Sequence, residues 1–116
     1  MKMNVSKEAE QKISEVQLVE QNIQNLLLQK QNFQVQFTEI DNALSELENS
    51  NDEVYKIVSG LMIKTNKNKL KEELSSRKEV IELRIKNIEK QESKLKEKIS
   101  SLQKDIMEGI KNDDRK

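Results

Sequence analysis

Few of the side chains that carry out chemistry stand in usable company in this sequence. Serine and threonine hydroxyls are present, but there is no histidine to take their protons and no cysteine to serve as a nucleophile, a disulfide or a thiolate ligand. The missing histidine also removes the commonest metal ligand. A phosphate-cradling loop needs clustered glycines, and the only glycines are Gly60 and Gly109. The acidic pairs Glu72-Glu73 and Asp113-Asp114 fall on a solvated helix face and in a polar tail, so solubility is their plainer role. Lysines of the second half alternate with glutamates, which marks a solvated face and not a phosphate track. The expectation is a protein that is not an enzyme, with no catalytic residue, no cofactor and no metal.

What remains is contact chemistry, and composition says which elements must present it. The chain has 116 residues, enough for one domain over 1–116; 36% are charged, 34% apolar, and there is no proline. Many Lys, Glu, Leu, Ile and Gln with few breakers is the profile of long helices or coiled coil. Disorder is the competing reading for so polar a chain. Regular spacing of the apolar residues answers it. A formal net charge of zero gives no reason to expect nucleic-acid binding. No apolar run reaches the roughly 18–20 residues that span a bilayer. The start through Ser6 lacks the apolar centre of a signal peptide, so a soluble cytoplasmic protein without membrane contact is expected.

One stretch, residues 53–65, escapes the helical period. Apolar residues crowd 54–58 and 61–63, and Ser59-Gly60 between them suits a tight hairpin turn. That turn sets Val58 opposite Leu61, Ile57 opposite Met62, Lys56 opposite Ile63, Tyr55 opposite Lys64 and Val54 opposite Thr65. One face then carries Val54, Val58, Leu61 and Ile63, and the other Tyr55, Ile57 and Met62. Two apolar faces and two open edges make a lone hairpin marginal in water, so it reads as an assembly element completed by other chains.

Long helices flank it. In the first, Val16, Val19, Ile23, Leu26, Lys30, Phe33, Phe37, Ile40, Leu44 and Leu47 keep a 3-4 alternation, a coiled-coil seam with Lys30 its one polar position. The second seam reads Leu74, Lys78, Ile81, Ile85, Ile88, Glu92, Leu95, Ile99, Leu102 and Ile106. Ser6 can cap the first helix, expected over about 7–48, and Asn49-Ser-Asn-Asp52 ends it. The second is expected over about 67–108, capped from within Thr65-Asn-Lys-Asn68 and stopped at Gly109. Glu73–Arg77, Glu82–Lys86 and Glu92–Lys96 offer i,i+4 pairs. Residues 1–49 hold four lysines against eight acids, net −4, and residues 66–116 hold fifteen basic against eleven acidic residues, net +4. An antiparallel helical hairpin satisfies the near-equal lengths, the reversing insert and the opposite charges. Centred near residue 57, such a pair puts Lys30 opposite about Arg84 and Glu92 opposite about Asn22.

The same geometry gathers Met1, Met3, Val5 and Ile13 with Ile106, Met107 and Ile110 at one tip, roughly 60 Å from the strand hairpin at 1.5 Å per residue. These side chains either contact apolar partners promiscuously or complete the last coiled-coil turn. For Ile13 and Ile106 the second reading is the plainer.

Asn51-Asp-Glu-Val-Tyr-Lys-Ile-Val58, Leu61-Met-Ile-Lys-Thr65 and Leu83-Arg-Ile-Lys-Asn-Ile-Glu-Lys-Gln-Glu92 resemble the β-type subunit of archaeal prefoldin, over about residues 6–110. The insert has room for two strands, where the α-type subunit carries four. Ser59-Gly60 departs from the family's glycine-first turn and leaves the turn type open. The resemblance implies a hexamer of two α-type and four β-type subunits whose hairpins join into a β-barrel. Val54, Ile57, Val58, Leu61, Met62 and Ile63 fall in its strands, and Met3, Val5, Ile13, Ile106, Met107 and Ile110 at client-binding tips. It further implies a holdase that binds unfolded proteins without ATP and passes them to a group II chaperonin. A structural coiled-coil adaptor or tether recognising one folded partner is the alternative.

Overall fold

The computed structural model describes residues 6–51 and 53–114. Along the chain stand α1 (Lys7–Glu48), β1 (Glu53–Val58), β2 (Leu61–Asn66) and α2 (Lys67–Asp114). Ser6 caps α1: its hydroxyl accepts from the Ala9 amide at 3.1 Å, and Glu8 and Glu10 occupy the first turn where negative charge favours the helix dipole. Asn66 caps α2, its side-chain oxygen accepting from the Lys69 amide at 2.7 Å. The last strand residue is thus also the first cap, and β2 enters α2 without a loop. Met1, Met3 and Val5 lie outside the described residues.

The helices belong to two compact units. In the central unit, Lys30–Asn87, Ile40, Leu47 and Ile81 are buried, and Phe33, Phe37, Leu44, Leu74 and Ile85 are half-buried. Lys78 bonds Asp41 at 2.7 Å, and Lys71 bonds Glu48 at 2.7 Å. Each pair is equidistant along the chain from the Ser59-Gly60 turn, so the antiparallel helix segments keep the pivot of the strands. Arg84 lies over Phe33, 5.7 Å from the ring centre. In the two ion pairs the centre is the turn itself, two to three residues beyond 57, because a linker precedes β1 while none follows β2.

In the terminal unit, Met1–Gln29 and Ile88–Lys116, Ala9, Val16, Val19, Ile23 and Ile88 are buried. Leu26, Glu92, Leu95, Ile99, Leu102 and Ile106 are half-buried. Lys98–Glu15 at 3.3 Å and Lys12–Asp105 at 4.0 Å join antiparallel segments. Every seam position named from spacing is therefore at least half withdrawn from water.

Two expectations need correction. Gly109 does not stop α2, which continues to Asp114: the glycine has no left-handed backbone, and half-buried Ile106 and Ile110 carry the apolar stripe past it. Glu92–Lys96 forms at 2.8 Å, but among the described residues Glu73–Arg77 and Glu82–Lys86 do not. Glu73 is taken by Lys56 of β1, at 3.0 Å.

Candidate interaction surfaces

The strand hairpin is built on the pairing that its turn imposes, from Val58 opposite Leu61 to Glu53 opposite Asn66. Ser59 has φ 51° and Gly60 φ 79°, so both central residues are left-handed and the turn is type I′. Glycine adopts that backbone freely, whereas serine takes it at a cost that asparagine would reduce. The open question of turn type is settled by this pair of angles.

The two faces of the hairpin differ. Lys56, on the face of Val54, Val58, Leu61 and Ile63, reaches Glu73 of α2, and Val54 and Thr65 are half-buried. That face meets α2 only toward its Val54–Thr65 end, while Val58, Leu61 (67%) and Ile63 nearer the turn are exposed too. The other carries Tyr55, Ile57 and Met62 into open solvent, with Ile57 73% and Met62 70% exposed. Among the described residues nothing pairs with either edge of the two-stranded sheet. Large apolar side chains at that exposure have a cost in water of roughly 1.5–3 kcal/mol each relative to burial, which is the driving force for covering them.

The connection to the helices is held from one side. α1 has no basic residue in its last turn, and α2 supplies the missing charge: Lys67 donates to the carbonyl oxygens of Glu48 at 3.2 Å and Ser50 at 3.4 Å. The hydrogen bond from Lys71 and its positive charge hold the Glu48 carboxyl below its ordinary value. Lys78, half-buried on the seam, sits between Asp41 and the ring of Phe37, 5.1 Å from its centre, and the Asp41 bond raises its ammonium above the ordinary value. Its seam position is thereby satisfied and not merely solvated.

The helix ends present less apolar surface than spacing suggested. Ile106 and Ile110 are half-buried, Met107 is 59% exposed and Ile13 37% exposed. Lys12 occupies the seam turn where Ile13 was a candidate. Met3 and Val5 lie outside the described residues. Spacing passed over Leu18, Leu28, Val35, Val80 and Leu83, all exposed. Their signal was available: each is an apolar residue that misses the 3-4 seam. No helix among the described residues is long and apolar enough to cross a membrane, and no group of three or more metal-binding side chains comes together there.

A family model described as prefoldin subunit matches residues 10–113. The prefoldin subunit beta of Thermococcus kodakarensis is 34% identical over 91 residues, covering 77% of this chain and 78% of that one. That of Saccharolobus islandicus is 35% identical over 88 residues, 74% of this chain and 70% of its own. The crystal structure of the prefoldin beta subunit from Thermococcus strain KS-1 superposes with a TM-score of 0.88 at 33% identity, covering 94% of this chain and 97% of that one. Two long helices with a two-stranded hairpin between them are common to both, and the chain belongs to the prefoldin subunit family, its likeness being to the archaeal β-type subunit.

Proposed function

We propose that this chain is a β-type subunit of a cytoplasmic hetero-hexamer, two α-type with four of its own kind, that holds non-native proteins without ATP and delivers them to a group II chaperonin. The exposed face of Tyr55, Ile57 and Met62 carries the assembly half of the reading. Side chains this apolar and this exposed belong at a contact, and a hairpin with two open edges accepts further strands, so a shared β-barrel is the natural closure. Val54, Val58, Leu61 and Ile63 complete the inner side of each contribution.

Holding is assigned to the helix ends. Met107 and Ile13 project there beside half-buried Ile106 and Ile110, and flexible Met and Ile side chains fit many apolar surfaces without selecting one shape. Met3 and Val5 are assigned to the same surface on their sequence alone. Membership in a chaperone family supports the reading and favours it over a tether for one folded partner. The test is a double substitution, Ile13→Ser with Met107→Ser, in the chain assembled with its α-type partner. Native mass should stay unchanged, while suppression of aggregation of three unrelated denatured proteins falls severalfold. Full suppression by the double variant removes the helix ends from the function; suppression of only one protein would favour the tether.

A further inference from the structure

A groove of about 410 Å³ lies between α1 and α2 in the central unit, away from the strand faces. Phe33 and buried Ile81 form its floor, with Val80, 49% exposed, beside them. Arg77 and Arg84 stand at the rim, and no carboxylate lines it. Most cations around it are committed within the chain: Lys56 to Glu73, Lys67 to the end of α1, Lys71 to Glu48 and Lys78 to Asp41. Arg77 and Arg84 form no ion pair among the described residues. The reason is local. Glu73, the one acid three or four positions from Arg77, is held by β1, and Arg84 has no acid at either spacing.

Two unpaired guanidiniums thus flank an apolar floor. They are seven residues apart on one helix, about 10.5 Å along its axis. In an extended peptide alternate side chains share a face. Carboxylates four residues apart therefore lie about 13 Å from each other on one face, within reach of two long arginine side chains, with one bulky side chain between them to meet Phe33 and Val80. Arginine suits this pairing because its planar fork takes a carboxylate with two parallel bonds, and stacking on Phe33 holds Arg84 in place without neutralising it. We propose that this groove is a docking site for an acidic, extended segment of a partner protein, with an apolar residue between its carboxylates. Two cations over an apolar floor are too few for a phosphate backbone.

The probe is a fluorescein-labelled peptide with the core Glu-Ser-Phe-Ser-Glu, titrated into the full-length chain and followed by anisotropy. Saturable binding is expected, weakened at least about tenfold by Arg77→Gln with Arg84→Gln, and equally by replacing both peptide glutamates with glutamine. Val80→Glu, which keeps both arginines and puts a like charge on the floor, should weaken it similarly. Ile13→Ser with Met107→Ser should leave it unchanged, which separates this site from client holding. Equal binding by the arginine double variant, or of the neutral peptide, overturns the proposal. So does displacement by a single-stranded oligonucleotide at lower concentration than by unlabelled peptide. Self-association of the chain that disappears in the arginine double variant would assign the groove to a second copy and overturn it too.

Discussion

Ile88 and Ile57 are the same residue type in opposite situations. Ile88 sits on the α2 seam at 5% exposure, while Ile57 on the outer strand face stands at 73%. The seam finds its complement inside the chain, because two helices with matched stripes bury each other. The hairpin finds none, because two strands have no third to cover their outer face. Apolar residues in this protein therefore stand in two situations: along the helices they stabilise the fold, and on the hairpin they remain open to water.

The sharpest way to break that contrast is to charge each side in turn. Ile88→Asp should destabilise the helical pair by about 4 kcal/mol or more, because a carboxylate there loses its water without gaining a partner. Ile57→Asp with Met62→Asp sets two like charges opposite each other in the hairpin, should cost the dissociated chain about 1 kcal/mol while leaving its helices intact, and should abolish the assembly. Circular dichroism melting and native mass read the two effects separately. An unchanged native mass for the second variant, mixed with its α-type partner, would mean that the outer face is not covered by subunits.

A smaller effect tests the turn that presents those strands. Ser59→Asn keeps the left-handed backbone and should stabilise the hairpin by about 0.5 kcal/mol, visible as slower amide exchange across β1 and β2. A faster exchange would show that the serine hydroxyl contributes something asparagine cannot. The smallest effect is electrostatic and belongs to the seam side. Glu48 is held below its ordinary value, so its contribution is present above that value and is lost as pH falls through the folded one. Lys78 is held above its ordinary value, so its contribution is present below that value and is lost as pH rises through the folded one. Glu48→Gln should flatten only the acid limb of stability against pH, and Lys78→Gln only the alkaline limb. Glu48 is exposed and Lys78 only half-buried, so both limbs are shallow.

Much of the fold was legible because it depends on period. Seam residues from Val16 to Leu47 and from Leu74 to Ile106 announce themselves by spacing, and a helix has no other way to bury them. The strand pairing was legible because a two-residue turn leaves one register. The candidate surfaces were less so. Nothing in the spacing of Ile13 and Lys12 says which takes the inner turn, and nothing in the alternation of the strands says which face meets α2. Those depend on how the elements meet.

By itself, then, the sequence determined the elements, their antiparallel pairing, the strand register and the absence of histidine and cysteine chemistry, since all of these follow from local period and composition. Only the tertiary structure decided that Glu73 pairs with Lys56 in place of Arg77 and that Lys67 and Lys71 close the end of α1. Each is a choice among partners of equal chemistry, and the one brought near by the β2-to-α2 junction prevails because an exposed ion pair is too weak to move the backbone toward another.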